Sequence, residues 1–366
     1  MSARRKILVA MSGGVDSSVA AALLQEQGHE IAGATIRTWA SNQCSNLNTK
    51  ACCGITGVED AREVAQTLGI PYWVFDFENE FKKYVVDHFA SEYKKGRTPN
   101  PCISCNEHIK FRLFLDRARQ LGFDAIATGH YAQVDQDTSG RFYLSEGVDP
   151  GKDQAYVLFP LTQDVLQNLY LPVGRFAKSQ IREKARDLGL CVMNKPDSQE
   201  ICFIPSNDYG EFLEREYSLE TTTKGKIITQ DGKVLGEHPG YFHFTKGQRK
   251  GLGVAFSERL YVIETRPETN EVVVGFKDDV RDKKFRVGRM NWFLPPQEKT
   301  FRAHVKIRSQ HQKTPALVHV LSDESVLLEV DLPQDAITPG QAAVIYRDRS
   351  VLGGGWIDEV MKEQAA

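Results

Sequence analysis

One stretch decides the fold: residues 6–28, KILVAMSGGVDSSVAAALLQEQG. The first apolar run predicts a strand, Ser12 to Gly14 predict a tight turn, and the run after Val15 predicts a helix. Glycines let the backbone approach an anion, serines supply hydroxyl groups, and a helix N-terminus attracts negative charge. The turn therefore predicts a phosphate site. It lacks the Gly-Lys-Ser/Thr ending of a nucleotide P-loop and the spacing of a dinucleotide fingerprint, which argues against both of those sites.

The alternation of predicted strands and helices continues to about residue 188. Apolar strand runs such as IAGATI (31–36) and YWVFDF (72–77) alternate with helical runs such as VEDAREVAQTLG (58–69). This alternation predicts an α/β fold built on a doubly wound parallel sheet. Left-handed C-terminal helix caps are expected at four glycines: Gly28, Gly69, Gly122 and Gly189.

The character of the chain changes after about Ser206. β-branched runs follow one another, broken by turn residues such as Asp231-Gly232 and Thr269-Asn270, and predict small antiparallel β domains. A charged run, 278–284, separates two of them. We therefore predict three domains: an α/β domain with the phosphate loop (1–205), a small central β domain (206–280) and a C-terminal β-barrel-like domain (281–366).

Composition excludes several classes of protein. The 366 residues include 46 Lys and Arg against 48 Asp and Glu, so the whole-chain charge indicates no polyanionic partner. No stretch approaches the roughly 20 apolar residues that cross a bilayer, and the N-terminal pattern is not that of a signal peptide. We expect a cytoplasmic protein whose seven cysteines stay reduced and serve as metal ligands or catalytic thiols.

Two motifs contain the cysteines with the clearest context. GRTPNPCISCN (96–106) presents Cys102 and Cys105, and its two prolines predict an extended, exposed loop. DSQEICFI (197–204) presents Cys202 before an apolar pair. A Cys-x-x-Cys pair alone fits a redox pair, half of a zinc site or part of an iron–sulfur site, so the spacing leaves the chemistry open.

Positive charge is concentrated between residues 281 and 313. This span contains ten Lys and Arg against Asp282 and Glu298, which predicts contact with nucleic-acid phosphates. Three aromatic residues among these charges fit either base stacking or the core: Trp292, Phe293 and Phe301.

SGGVDSS after a first strand resembles the PP-loop of the ATP pyrophosphatase superfamily, whose enzymes adenylate a substrate and release pyrophosphate. The resemblance implies that the loop holds the pyrophosphate and that Asp16 lies near magnesium-bound phosphates. It also implies that the adenosine contacts the ends of two strands, at Ile36 and at Gly129. The implied ATP-binding residues are Ala10, Met11, Ser12, Gly13, Gly14, Val15, Asp16, Ser17, Ile36 and Gly129.

Further motifs resemble a narrower family, the tRNA-specific 2-thiouridylases, over nearly the whole chain. The resemblance implies a tRNA-uridine 2-sulfurtransferase: ATP adenylates the C2 oxygen of the wobble uridine, and sulfur then replaces that oxygen. It implies a persulfide on Cys202, supplied by a sulfur-donor protein and resolved by Cys105 through a disulfide. The motifs are GRTPNP, ATGHY (127–131), KDQ (152–154), LPVG (171–174), ICFI, KGQRKGLG (246–253) and TPGQAAV (338–344).

The resemblance also implies how tRNA binds. Asn100, Pro101 and Cys102 face the target uridine, which must leave the base stack because C2 is inaccessible within it. The substrates are the Lys, Glu and Gln tRNAs, and no membrane partner is implied. Other implied tRNA contacts are His130, Lys152, Asp153, Gln154, Arg308, Ser309 and Gln341.

One position departs from the family's pattern. Where the family has Asp two residues after Asn, this chain has Cys102, so no carboxylate carries over as a general acid or base. Cys102, Cys105 and Cys202 are then also candidate ligands of a [4Fe–4S] cluster with an open iron, an alternative route for the sulfur. Three other cysteines are interpreted as thiols without assigned chemistry, in the loop 41–54: Cys44, Cys52 and Cys53.

Two other functions stay open at this point. An amidotransferase-coupled synthetase would share the adenylating fold, although the chain contains no recognisable glutaminase. A non-catalytic RNA-binding protein would use the cysteines for a structural metal, zinc. Cys202→Ala separates the three: it abolishes thiolation in a sulfurtransferase, has little effect in a synthetase, and destabilises a zinc protein.

Overall fold

A computed structural model describes residues 4–38, 55–197, 201–204, 208–217, 219 and 224–362. Its contacts divide the chain into two compact units. The first unit comprises residues 1–86, 101–205 and 348–352, and the second comprises 87–100, 206–347 and 353–366. The boundaries of the three-domain division stay predictions. Cys44, Cys52 and Cys53 lie outside the described residues.

The helices and strands are numbered along the chain. The helices are α1 Val15–Glu26, α2 Ile55–Leu68, α3 Glu78–Phe81, α4 Asp87–Lys94, α5 Pro101–Ser104, α6 Phe114–Gln120, α7 Gln163–Gln167, α8 Lys178–Asp187 and α9 Tyr209–Tyr217. Two π-helical segments are Lys82–Val86 and Cys105–Leu113, and short 3₁₀ turns are Ala155–Leu158, Pro172–Arg175, Tyr241–His243 and Asp278–Val280. The strands of the first unit are β1 Lys6–Ala10, β2 Glu30–Arg37, β3 Tyr72–Asp76, β4 Ala125–Ala127, β5 Ala132–Gln136, β6 Phe142–Glu146 and β7 Leu169–Tyr170. Those that follow are β8 Gly225–Thr229, β9 Val234–His238, β10 Tyr261–Arg266, β11 Glu271–Gly275, β12 Arg281–Trp292, β13 Thr300–Lys306, β14 Thr314–Ser322, β15 Ser325–Asp335, β16 Ala342–Arg347 and β17 Ser350–Met361.

The first unit is built on a five-stranded parallel sheet in the order β3-β2-β1-β4-β7, which confirms the predicted doubly wound sheet. Ile7 of β1 lies opposite Ile31 of β2 and Ala125 of β4. Ile7, Leu8 and Val9 are fully buried, as expected for a central strand covered on both faces. Because the chain winds from β1 to β3 on one side and resumes at β4 on the other, the strand order reverses between β1 and β4. Open α/β sheets bind ligands at such a reversal.

The four glycines predicted to end helices do so. Gly28, Gly69, Gly122 and Gly189 have φ angles of +85°, +66°, +81° and +62°, in the left-handed region that a side chain disfavours. The predicted left-handed caps are confirmed. After Gly28, Gly69 and Gly122 the chain turns into a strand, whereas the next element described after Gly189 is α9.

The extended, exposed loop predicted for residues 96–106 is wrong in its second half. Pro101 begins α5, and the π-helical segment Cys105–Leu113 continues it without a break. Proline is tolerated at the first helical position, where its missing N–H would have no partner inside the helix. Pro101, Ile103 and Cys105 are buried, so this half of the motif is part of the core.

The second unit contains two β structures, as predicted, but the central one is not purely antiparallel, because β8 and β11 pair in parallel. Four central strands form a sheet in the order β10-β11-β8-β9, with turns at Gly232, φ +86°, and Asn270, φ +51°. Six antiparallel strands follow in the order β12-β15-β14-β13-β16-β17, and β17 pairs back with β12 to close a barrel. None of the described helices is long and apolar enough to cross a membrane.

Candidate active site

The loop between β1 and α1 forms a narrow cradle of backbone atoms. Gly13 has a φ of +70°, and a Cβ added to it would lie 2.2 Å from the carbonyl oxygen of Gly57. A Cβ added to Gly129, just after β4, would lie 2.5 Å from the backbone nitrogen of Ser17. Only glycine fits at either position, because the backbones approach so closely. The predicted phosphate turn therefore lies where the strand order reverses.

Hydrogen bonds hold this loop in one conformation. The Ser17 and Ser18 hydroxyls donate to the Gly14 carbonyl oxygen at 3.1 and 2.9 Å, and the Thr35 hydroxyl donates to the Met11 carbonyl oxygen at 2.6 Å. No side chain caps α1 at Gly14. Unpaired amides at a helix N-terminus bind phosphate, so the loop can receive an anion without first rearranging.

Gly13→Ala should destabilise the protein and abolish ATP binding, since it adds a strained φ to a backbone clash. We expect the free energy of unfolding to fall by about 2 to 4 kcal/mol. Gly28→Ala is the matched control, because Gly28 also has a positive φ but nothing lies within 4 Å of its added Cβ. The control should lose about 1 kcal/mol and keep ATP binding. Denaturant unfolding and calorimetric titration with ATP measure the two effects. Wild-type ATP affinity in Gly13→Ala would contradict the prediction that this loop binds the phosphates.

A buried lysine lies against the loop. The Lys178 ammonium is 2.7 and 2.8 Å from the two carboxylate oxygens of Asp16 and 2.8 Å from an Asp197 oxygen. The Tyr131 hydroxyl donates to the same Asp16 carboxylate at 2.7 Å. Lys178 is only 8% exposed, so these contacts compensate the cost of burying its charge. Desolvation and the Asp16 carboxylate together raise the pKa of Tyr131, which stays protonated.

Asp197 belongs to the segment that leads to Cys202. Burial alone would raise the pKa of Asp197, but hydrogen bonds from Lys152 and Lys178 lower it to about 2, so the carboxylate is charged. Lys195, two residues earlier, donates to the Gly13 carbonyl oxygen at 2.9 Å. The segment 195–197 therefore contacts the phosphate loop through Lys195 directly and through the shared Lys178.

The three thiols singled out from the sequence differ in exposure. Cys102 is exposed, Cys105 is 7% exposed, and Cys202 is half-buried. Phe203, next to Cys202, packs edge-to-face on Phe81 at 5.8 Å between ring centroids. In the part of the chain that the structure describes, no three His, Cys, Asp or Glu side chains are arranged to hold a metal ion. All three thiols belong to that part, and a [4Fe–4S] cluster held by them stays a prediction.

His130 is neutral at physiological pH. Burial and the nearby Lys110 ammonium lower the pKa of its imidazole to about 3. Its Nδ1 lies 2.8 Å from the Thr128 hydroxyl, and its ring packs against Phe111 at 5.4 Å. The ring can therefore offer a neutral hydrogen bond to a base, but it supplies no positive charge to a phosphate.

Residues 152–154, predicted to contact tRNA, make bonds within the first unit. The Lys152 ammonium pairs with Asp197 at 2.8 Å. Gln154 accepts from the Tyr131 backbone N–H at 2.9 Å, and Asp153 accepts from Gly147 at 3.0 Å. These bonds position Tyr131 and Asp197 in the site, and tRNA contact by the same residues stays a prediction.

The basic stretch 281–313 is partly neutralised by carboxylates of β15. Arg281 pairs with Asp335 at 2.9 Å, and Arg302 pairs with Asp331 at 2.7 Å. Counting charges along the sequence therefore overstates the electrostatic attraction of this face, because the neighbouring strand supplies the counter-charges. Phe293 is buried and belongs to the core.

The candidate tRNA-contacting residues of the second unit lie at turns of the barrel. Arg308 donates to the carbonyl oxygens of Asp335 and Ala336 at 3.1 and 2.6 Å. Gln341 donates to the carbonyl oxygen of Thr98 at 2.9 Å, which holds the backbone two residues before Asn100. Ser309 follows Arg308 and is half-buried. Their contact with tRNA stays a prediction.

Lys178, Tyr131 and Lys195 contact the site but were not predicted from the sequence. One signal was available for Lys178: it opens α8, where the helix dipole disfavours a positive charge. A lysine at that position indicates carboxylate partners elsewhere in the fold. Those partners, Asp16 and Asp197, are distant in sequence, and only the tertiary structure identifies them.

The chain matches three protein families in succession. Residues 5–206 match the tRNA methyl transferase HUP domain, residues 210–276 the tRNA methyl transferase PRC-barrel domain, and residues 282–357 the aminomethyltransferase β-barrel domain.

Curated relatives match this chain over almost its whole length. The tRNA-specific 2-thiouridylase MnmA of Carboxydothermus hydrogenoformans is 48% identical over 360 residues, 97% of this chain and 98% of the relative. Proteins of the same name from Lachnoclostridium phytofermentans and Geobacter metallireducens are 45% and 44% identical, over 96% and 99% of this chain and 99% of each relative. Among solved structures, a 4-thiouridine synthetase–RNA complex with bound ATP is similar with a TM-score of 0.37 and 20% identity, over 58% of this chain and 50% of the other.

Proposed function

Because the chain belongs to the tRNA-specific 2-thiouridylase family, we propose that it is an ATP-dependent enzyme that replaces the C2 oxygen of the tRNA wobble uridine with sulfur. The observation that carries this proposal is the glycine cradle at the sheet's reversal point, bonded through Lys178 and Lys195 to the segment that leads to Cys202. The predicted phosphate loop and the three thiols Cys102, Cys105 and Cys202 belong to the same compact unit, which supports the proposal.

ATP is the co-substrate that makes the uracil carbonyl reactive. An amide-like C2 oxygen is a poor leaving group, and transfer of AMP to it creates a good one. The backbone amides at the start of α1 stabilise the pyrophosphate that departs. Magnesium, bound with the triphosphate, would neutralise phosphate charge beside Asp16. The adenosine lies between the strand ends at Ile36 and Gly129.

Lys178 can stabilise negative charge on the phosphates during adenylation. It already holds the Asp16 carboxylate, and a triphosphate in the cradle adds negative charge next to the same ammonium. As negative charge develops on the pyrophosphate leaving group, a buried, preorganised cation stabilises it more than water does. Lys178 therefore contributes to the adenylation step.

Sulfur transfer uses the thiols of Cys202 and Cys105. A persulfide on Cys202, accepted from a sulfur-donor protein, attacks C2 and expels AMP, which leaves the base joined to Cys202 through a disulfide bond. The Cys105 thiolate then attacks the Cys202 sulfur. The carbon–sulfur bond stays with the base as 2-thiouridine, and a Cys105–Cys202 disulfide remains, which an external dithiol must reduce before the next turnover.

Recognition of the target uridine needs a neutral, hydrogen-bonding pocket. His130 meets this requirement, since its pKa of about 3 keeps the imidazole uncharged. Residues 100–102 face the flipped base, with Cys102 in place of a carboxylate. The Lys, Glu and Gln tRNAs are the proposed substrates. The phosphates of these tRNAs contact Lys152, Arg308, Gln341 and the residues next to them.

Cys105→Ser should trap the intermediate. After one turnover with persulfide-loaded enzyme, ATP and tRNA, we expect about one covalent RNA–protein adduct per active chain, because the resolving thiol is missing. A dithiol reductant should release the adduct as thiolated tRNA. Non-reducing gel electrophoresis and mass spectrometry measure it. Cys191→Ser, at an exposed cysteine outside both motifs, is the control and should release product as the wild type does. Normal multiple turnover by Cys105→Ser would contradict the role of Cys105.

A further inference from the structure

A loop of the second unit, residues 249–260, encloses an open cavity that the function above does not use. Its volume is about 520 Å³. Small-molecule sites have roughly 300–1,000 Å³, so the cavity is large enough for a nucleotide. The lining includes Arg249, Leu252, Phe256, Glu258, Arg259 and Leu260. The last five residues of the motif KGQRKGLG, residues 249–253, form the first part of this loop, and the motif has no assigned role so far.

Both ends of the loop are fixed. The Gly247 N–H donates to the Val262 carbonyl oxygen at 2.8 Å, and the Val262 N–H donates to the Gln248 carbonyl oxygen at 2.9 Å. Leu252 and Leu260 are buried and anchor the loop from inside. The loop is therefore a compact Ω-type segment with closed ends, a class that is frequently functional.

Glycines give the loop its shape. Gly251 and Gly253 have φ angles of +78° and +69°, so the chain turns twice in the left-handed region around Leu252. Val254 then packs on β9, where a Cβ at Gly236 would lie 2.7 Å from the Val254 Cγ1. The cavity is thus preformed, which lowers the conformational cost of binding.

Two aromatic rings are exposed at this surface. Phe256 is 41% exposed and Phe276, the residue that follows β11, is 44% exposed. Their ring centroids are 6.2 Å apart. Exposed rings side by side offer a stacking platform, which RNA-binding proteins use for unpaired bases.

Positive charge surrounds these rings. Four exposed cations, Arg249, Lys250, Arg259 and Lys277, outnumber two exposed carboxylates, Glu258 and Asp278, and Asp278 also pairs with Arg281 at 3.3 Å. This balance attracts phosphates, and guanidinium groups bind them with two N–H donors. Aromatic faces together with exposed cations favour RNA over an acidic peptide, because both the base and the phosphate find a partner.

We propose that this surface binds one unpaired nucleotide of the tRNA, outside the anticodon position that is thiolated. Phe256 stacks on the base, and Arg249 and Arg259 contact the flanking phosphates. The inference rests on the proposed function, since it takes tRNA to be the substrate. It assigns a role in substrate affinity to the KGQRKGLG loop, and none in the chemical steps.

The test uses the full-length protein and a tRNA transcript, with fluorescence anisotropy for Kd and single-turnover thiolation for rate. Phe256→Ala should raise Kd about tenfold or more, because stacking of one base is lost. Arg259→Gln should also raise Kd and should lower the slope of log Kd against log salt by about one. The thiolation rate at saturating tRNA should stay unchanged. Phe256→Trp should restore affinity, and tRNA should quench its emission.

Leu332→Ala is the matched control, because Leu332 is an exposed apolar side chain of the same unit, 70% exposed, outside this loop. It should bind tRNA as the wild type does. Binding within twofold of wild type by both Phe256→Ala and Arg259→Gln would overturn the inference while leaving thiolation intact. Equal quenching of Phe256→Trp by AMP would assign the surface to free nucleotides and also overturn it. Failure of the wild type to thiolate tRNA would instead overturn the proposed function.

Discussion

Cys202→Ser should reduce tRNA thiolation to background, a loss of at least about 10³-fold, because no other group then holds the sulfur that attacks C2. Pyrophosphate release should continue within about threefold of wild type, since the proposed adenylation step uses the cradle and Lys178 and precedes sulfur transfer. Nucleoside mass spectrometry of the tRNA and a pyrophosphate-release assay on the same sample measure the two effects.

The separation of the two activities is the informative result. Cys191→Ser should keep both, because Cys191 lies near the Asp60 carbonyl oxygen and in neither cysteine motif. Retention of more than about a tenth of wild-type thiolation by Cys202→Ser would contradict the persulfide route. Loss of pyrophosphate release together with thiolation would show that Cys202 acts before the sulfur step.

Lys178→Met should lower kcat/KM for ATP by about 10² to 10³-fold, the usual cost of removing one preorganised donor to a developing charge. Two effects combine. The cation that faces the phosphates is lost, and the Asp16 and Asp197 carboxylates, both within 2.8 Å of the Lys178 ammonium, lose their shared counter-charge. Lys178→Arg should restore little, because a planar guanidinium does not match three oxygens around one ammonium.

Lys184→Met is the control for this experiment, because Lys184 lies on the same helix and pairs with Glu26 at 2.9 Å on a more exposed face. It should keep wild-type kcat/KM. Thermal melts of the variants separate folding from function, and Asp197→Asn combined with Lys178→Met should recover stability without recovering rate. A Lys178→Met protein with wild-type pyrophosphate release would limit Lys178 to a structural role.

The sequence was sufficient for the parts of the fold that depend on local patterns. Helices end as predicted at Gly28, Gly69, Gly122 and Gly189. A glycine directly after a helical run is visible in the local sequence, and glycine adopts the positive φ that ends a helix. The Ser12–Gly14 turn was predictable for the same reason: a strand, a glycine turn and a helix occur in direct succession. Parallel strand pairing then followed from the alternation of elements.

Long-range features were not predictable in the same way. Pro101 looked like a helix breaker, yet the core accepts it as the first residue of α5, and the exposed loop expected around Cys105 is a buried helix. The positive charge of residues 281–313 is partly neutralised by carboxylates of β15. These carboxylates are distant in sequence and come close to the basic residues only in the folded barrel. The Lys178 site joins residues 16, 178 and 197, a combination that no sequence window contains.

The central claim is that this chain thiolates tRNA in an ATP-dependent reaction with Cys202 as sulfur carrier. The most direct measurement is a single-turnover reaction of iron-free protein, loaded by a persulfide donor, with ATP and a Lys, Glu or Gln tRNA. Nucleoside mass spectrometry quantifies 2-thiouridine. We expect one 2-thiouridine and one AMP for each persulfide consumed, and no 2-thiouridine when ATP is omitted. Thiolation that appears only after iron is restored, or no 2-thiouridine in any preparation, would contradict it.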